Sequence, residues 1–202
     1  MLDAAARRLI DPVLNRWGCA LADRGIRADA VTLIGLALGL LAALLIALGQ
    51  PGAALLPLLA SRLADGLDGA IARASQSTDF GGYFDITADF LFYGAIPLAF
   101  VLADPAANGA AGAFLIASFY FNGASFLGFA VLAAKHRMDT KARGPKSFFH
   151  AGGLLEGTET ILFFVALCLF PGSFSPLAWG FGALCFLSGA LRIAAARRQF
   201  RD

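Results

Sequence analysis

The hydropathy pattern restricts this chain more than any other feature in it. Six apolar segments follow one another, over residues 30–48, 53–71, 84–102, 111–133, 154–170 and 177–195. A bilayer core about 30 Å thick needs about 20 largely apolar residues per helix, with about 17–25 the usual range. Turn-forming residues separate several of the segments: Gly49-Gln50-Pro51-Gly52, Asp104-Pro105, Pro171-Gly172 and Ser175-Pro176. Composition agrees with this reading. The chain is 58% hydrophobic and 15% charged, where soluble domains lie near 45–50% and about 25%. The pattern predicts an all-α integral membrane protein forming one membrane domain over residues 1–202. Residues 30–195 would be a bundle of six transmembrane helices and 196–202 a cytoplasmic tail.

The basic residues orient the bundle. Arg7, Arg8, Arg16, Arg24 and Arg27 precede the first segment, and Arg73 follows the second. Lys135, Arg137, Lys141, Arg143 and Lys146 lie between the fourth and fifth, and Arg197, Arg198 and Arg201 close the chain. The three opposite loops contain no Lys or Arg. The positive-inside rule therefore predicts that both termini and the longer loops are cytoplasmic, in a bacterial-type inner membrane. A net charge of +2 is too small to indicate a nucleic-acid partner.

Residues 1–28 carry a different signal. Leu2, Leu9, Ile10, Val13, Leu14 and Trp17 share one helical face, which predicts an N-terminal amphipathic helix in the cytoplasmic interface, with Pro12 as a possible kink. The first thirty residues are too polar for the apolar region of a signal peptide. Cys19, Cys168 and Cys185 have no paired spacing, so neither a disulfide framework nor a metal site is expected of them.

Against this apolar background stands Asp65–Asp89, DGLDGAIARASQSTDFGGYFDITAD. Asp65 and Asp68 are three apart at the end of the second segment, and Asp85 and Asp89 are four apart at the start of the third. Each spacing puts a pair on one helix face. A short connection makes the two helices antiparallel neighbours, so four carboxylates converge near the cytoplasmic membrane surface. A charge at mid-membrane costs at least ~2.5–3.5 kcal/mol, so either most are protonated or cations sit among them. Oxygen-only donors suit Mg²⁺, Mn²⁺ or Ca²⁺ and disfavour zinc. Two such ions would balance four carboxylates and could drive phosphoryl transfer. A cation path in a transporter remains open at this point. Simple capping or solvation suits Asp79, which has no partner at helical spacing. Gly66, Gly69, Gly81 and Gly82 permit close approach of a ligand or helix, and Arg73 is suited to gripping phosphate. Together these residues describe a site for a nucleotide diphosphate.

The stretch resembles the CDP-alcohol phosphotransferase (CDP-alcohol phosphatidyltransferase) family, whose pattern is D-x2-D-G-x2-A-R, about eight residues, then G-x3-D-x3-D. Asp65, Asp68, Gly69, Ala72, Arg73, Gly81, Asp85 and Asp89 match it in order, with seven residues rather than eight between Arg73 and Gly81. The run Gly25–Thr32 is similar to the family's entry to the first span, with Ala28 replacing the usual proline. The resemblance implies that Asp65, Asp68, Asp85 and Asp89 hold two divalent cations, Mg²⁺ or Mn²⁺, and that Asp89 is the general base. Asp29, Thr32, Gly69, Arg73 and Thr78 would bind the CDP-alcohol. The implied reaction moves a phosphatidyl group from CDP-diacylglycerol to a small polar alcohol and releases CMP. A homodimer among membrane lipids is implied as well.

The acceptor alcohol is less legible. Arg62 lies three residues before Asp65 and can pair with it. The basic loop of residues 135–146 suits a phosphorylated acceptor or anionic headgroups. Glu156 and Glu159 lie one turn apart near the cytoplasmic end of the fifth segment, with His150 and Lys146 nearby in sequence. They could bind an acceptor's hydroxyls or amine, or pair with an arginine. Gly35 and Gly39 form a G-x3-G, by itself a weak helix-packing signal. A transporter using the same aspartates is the competing class. It would need polar groups continuing to the far surface, and the far halves of these segments are almost purely apolar.

Overall fold

The computed structural model describes residues 3–136, 155 and 157–200. Among these there are seven α-helices and no strands. They are α1 (Asp3–Ala22), α2 (Ala28–Ala47), α3 (Pro51–Ala74), α4 (Asp79–Ala103), α5 (Pro105–Lys135), α6 (Gly157–Leu169) and α7 (Phe174–Gln199), with a 3-10 turn at Pro171–Ser173 before α7. Arg137, Lys141, Arg143, Lys146, His150, Glu156 and Arg201 lie outside the described residues.

Helices α4 and α5 begin earlier than the apolar segments they contain, at polar residues that cap them. Thr78 starts α4, its Oγ1 accepting from Gly81 N at 3.0 Å. Asp104 starts α5 by accepting from Ala107 N at 3.0 Å, with Pro105 at the first helical position. Such caps satisfy amides that have no partner within the helix. Pro105 has no amide to lose there. Gly49, at φ 76°, turns the chain from α2 into α3. Pro12 lies inside a helix that continues through it.

Four helical stretches are long and apolar enough to cross a membrane: α2, α4, α5 and Pro171–Gln199. The sequence pattern predicts six. At 24 residues α3 is long enough, but Arg62, Asp65, Asp68 and Arg73 crowd its second half. α6 is apolar and described over only 13 residues.

Helix α2 packs against both α3 and α4, α1 and α6 lie against α3, and α5 pairs with α7 and joins the rest through α4. The apolar core runs through Ile46, Leu58, Phe92, Ile96, Phe100, Leu115, Phe164, Leu167 and Phe174. Of the predicted apolar face of α1, Leu14 is buried against α3, while Ile10, Val13 and Trp17 stay about half exposed. Gly35 and Gly39 pack within the chain. A Cβ on Gly35 would meet Ala64 Cβ at 3.1 Å, and one on Gly39 would meet Phe92 Cδ2 at 2.6 Å.

This packing makes a stability prediction. Gly39→Ala forces a shift of Phe92 and should cost about 1–3 kcal/mol, as overpacking of a core does. Gly52→Ala, where an added Cβ meets nothing within 4 Å, should leave thermal unfolding in detergent unchanged or slightly raised. Equal unfolding temperatures for the two variants would show that the α2–α4 contact is not tight.

Candidate active site

The two halves of the aspartate motif lie on α3 and α4, and α2 packs against both. A narrow cleft between them is lined by Thr32, Gly35, Arg62, Asp65, Asp68 and Asp89, among others. Asp85 is half-buried one turn before Asp89 on α4. It does not line this cleft.

Asp68 is the most buried of the four, 4% exposed. Its Oδ2 accepts a 2.6 Å hydrogen bond from Thr32 Oγ1. That bond joins a residue expected to bind CDP directly to one expected to bind metal. The approach of α2 to α3 is set just beyond it, where Ser61 Oγ donates to Gly35 O at 2.7 Å.

Arg62 occupies the centre of the cleft. Its Nη1 donates to Asp89 Oδ1 at 2.7 Å and stands 3.4 Å from Asp65 Oδ1. Nη2 donates to Ser61 Oγ at 3.1 Å. The guanidinium carbon lies 3.8 Å from the centre of the Phe92 ring, a cation–π contact on the first aromatic ring of the core. The pairing with Asp65 expected from the sequence is present, and the pairing with Asp89 is shorter. Among the described residues, no three Asp, Glu, His or Cys side chains are gathered into a ready-made metal cage. Two of the carboxylates, Asp65 and Asp89, turn to the guanidinium instead. The donor set nevertheless suits hard cations, with carboxylate oxygens from two helices and one cationic side chain among them.

The remaining expected residues make two separate sets of contacts, on the last turns of α3 and the first turn of α4. Arg73 folds back over Gly69, where an added Cβ would meet Nη1 at 3.3 Å. Its Nη2 donates to Asn15 Oδ1 at 3.0 Å, which ties α1 to the motif. At Gly81 an added Cβ would meet Thr78 Oγ1 at 3.0 Å and Asp29 Oδ1 at 3.1 Å. Asp29, from the first turn of α2, therefore approaches the N-terminal turn of α4. Thr78, expected to touch substrate, is the N-cap of that helix.

Sequence reading missed two residues. Asn15 carries no motif, and only the packing of α1 on α3 brings it to Arg73. Arg192 lies inside the last apolar segment, 6% exposed. Its Nη1 donates to Ser125 Oγ at 2.6 Å, to Asn122 Oδ1 at 2.9 Å and to Asn122 O at 3.0 Å. A charge within an apolar span is itself a signal. Glu159 is half-buried in the first turn of α6.

Residues 26–192 match the CDP-alcohol phosphatidyltransferase family, and the chain belongs to that family. It is thus an integral membrane transferase of substituted phosphate groups, acting in phospholipid synthesis by phosphatidyl transfer. Among curated proteins it is similar to the inner membrane protein YnjF of Escherichia coli (strain K12). The two are 48% identical over 206 residues, spanning 98% of this chain and 100% of the relative. Among solved structures it is similar to the phosphatidylinositol phosphate synthase PgsA1 of Mycobacterium tuberculosis, crystallised with CDP-DAG bound. The TM-score is 0.67 at 20% identity, covering 92% of this chain and 94% of the other. A PgsA1 structure with manganese and citrate gives 0.65 at 21% identity, covering 91% and 88%. At that identity the likeness shows the fold. Membership of this family gives no support to the transporter reading.

The Thr32–Asp68 bond can be tested directly. Thr32→Val removes the hydroxyl and leaves a buried carboxylate short of a donor, at a cost of about 1.5–3 kcal/mol for a bond to a charged group. Thermal unfolding in detergent should fall accordingly, while Thr32→Ser should keep most of the stability. Equal stability of T32V and the unaltered protein would mean that Asp68 does not depend on Thr32.

Proposed function

We propose that this protein transfers the phosphatidyl group of CDP-diacylglycerol to a small polar alcohol, releasing CMP, with Asp89 as the general base. The observation that carries the reading is the meeting of Asp65, Asp68 and Asp89 from two helices at one cleft, beside Thr32 of a third. The CDP-DAG bound to the similar PgsA1 supports the donor, and its manganese complex supports a divalent ion.

Asp65, Asp68, Asp85 and Asp89 would hold two divalent cations, Mg²⁺ or Mn²⁺, which supply charge neutralisation for the diphosphate. The chain's own residues do the rest. Asp89 accepts the proton of the acceptor hydroxyl. The acceptor oxygen then bonds to the β-phosphorus as the phosphoanhydride bond breaks, and CMP departs. Positioning and charge stabilisation carry most of the catalysis in phosphoryl transfer. Arg73 and the bare backbone of Gly69 suit a phosphate, and Asn15 steadies the guanidinium. Asp29, Thr32 and Thr78 surround the cytidine end. Because Thr78 Oγ1 accepts from Gly81 N, its hydroxyl hydrogen can still donate.

A lipid-linked nucleotide needs a site at the membrane surface. In this reading α3 and α6 complete six spans, both termini and the cleft are cytoplasmic, and the exposed Ile10, Val13 and Trp17 lay α1 in the interface. The active unit is a homodimer. Its contacts do not use Gly35 and Gly39, which pack inside the chain.

Purified protein in detergent with Mg²⁺ should release CMP from CDP-diacylglycerol with one of glycerol 3-phosphate, serine, inositol or inositol 1-phosphate. Release with none of them, from folded protein that also fails to bind CDP-diacylglycerol, would refute the donor assignment. Asp89→Asn should lower turnover by roughly 10²–10⁴-fold, the usual worth of a general base, and keep CDP-lipid binding. Near-normal turnover would remove Asp89 as the base. EDTA should abolish CMP release and added Mg²⁺ or Mn²⁺ should restore it, whereas activity persisting in EDTA would exclude a divalent-ion requirement.

A further inference from the structure

We propose that Arg62 is a built-in counter-cation of the carboxylate cluster, which holds Asp65 and Asp89 together and yields them to a divalent ion on loading. The inference rests on the reading that these aspartates bind divalent cations. Arg62 is not one of the motif positions; its role comes from where the fold puts it.

Three observations carry the argument. First, one nitrogen of Arg62 serves carboxylates from both helices, Asp89 of α4 at 2.7 Å and Asp65 of α3 at 3.4 Å. It thereby does between the two halves of the motif what a shared cation would do. Second, the seat is built for a guanidinium. The group lies flat enough on Phe92 to bring its carbon 3.8 Å from the ring centre, and Ser61 fixes the other nitrogen. A weakly hydrated planar cation that stacks on aromatic rings suits such a place better than an ammonium. The Arg62 side chain is only 9% exposed, while Asp65 and Asp89 are 34% and 31% exposed, so the guanidinium is buried and the carboxylates stay open to an incoming cation. Third, the seat is incomplete. Nε is buried without a hydrogen-bond partner, which carries a desolvation cost. The guanidinium is drawn in by the carboxylates although its own donors are not all met. A group held in that way can be displaced by a stronger cation for the same oxygens.

The consequence is a competition. Arg62 keeps the cluster folded without metal and makes metal binding weaker than four bare aspartates would give. Removing its charge should therefore tighten divalent binding, whereas loss of a merely structural arginine would weaken it.

The test is isothermal titration of Mn²⁺ into the full chain in detergent, with thermal unfolding in EDTA alongside. The unaltered protein, Arg62→Gln and Arg62→Lys are compared. R62Q should bind Mn²⁺ roughly tenfold more tightly, the effect of removing one nearby unit charge worth about one pKa unit of interaction. R62K, which keeps the charge, should stay within about threefold of the unaltered protein. In EDTA, R62Q should unfold at a lower temperature, and saturating Mn²⁺ should close the gap, because a ligand stabilises the state it binds. Binding by R62Q that is unchanged or weaker overturns the proposal. So does an R62Q protein that fails to fold even when purified in Mn²⁺, because metal then cannot replace the arginine. If the unaltered protein binds no Mn²⁺ or Mg²⁺, the metal-site reading falls and this inference with it. If it binds and R62Q binds no better, only the role of Arg62 falls.

Discussion

A carboxylate in the interior of a helical membrane bundle must be given something to bond to, and that requirement organises this protein. Hydration is lost there, and each unpaired charge costs several kcal/mol. The motif brings four aspartates onto two adjacent helices. The fold answers with a hydroxyl from α2 for Asp68, a guanidinium from α3 for Asp65 and Asp89, and an aromatic ring from the core beneath that guanidinium. These contacts cross α2, α3 and α4, so meeting the charges and packing the helices are one problem with one solution.

Phe92 shows how closely the two are linked. Its ring is fully buried, bears Arg62 on its surface, packs edge-on to Phe164 of α6 with ring centres 5.8 Å apart, and fills the space beside Gly39. The apolar core and the polar cleft share this side chain. On one side the chain can bury aromatic and aliphatic groups freely. On the other every side chain that matters is charged or hydroxylated. The proposed substrate would match this division, because a lipid-linked nucleotide presents acyl chains and a diphosphate within a few ångströms of each other.

In the proposed function the site has two parts. The deep part, with Asp65, Asp68 and Asp89 around Arg62, suits cations and proton transfer. The shallow part, with Arg73 over Gly69 and Asp29 beside Gly81, suits the phosphate and cytidine ends of a nucleotide. Asn15 joins the shallow part to α1, the helix whose Ile10, Val13 and Trp17 remain exposed.

Much of this was legible in the chain alone. Apolar runs near the length of a bilayer force helices because no other open structure satisfies its backbone there, and the i, i+3 and i, i+4 spacings fix which aspartates share a face. The eight motif positions are local and survive as a pattern whatever the surrounding packing does. Partners that come from distant segments were not legible, since a contact across 36 residues, as between Thr32 and Asp68, leaves no periodic trace. Arg62 could be seen beside Asp65 by its spacing, but its shorter bond to Asp89 depends on how α3 and α4 lie together. Gly35 and Gly39 carried only a weak helix-packing signal, and the position of Ala64 and Phe92 showed what they pack against. The sequence by itself determined which residues are charged among the apolar segments and on which helix faces they stand. Tertiary structure decided who neutralises them, because a desolvated charge is satisfied by whatever the packing brings within about 3 Å of it.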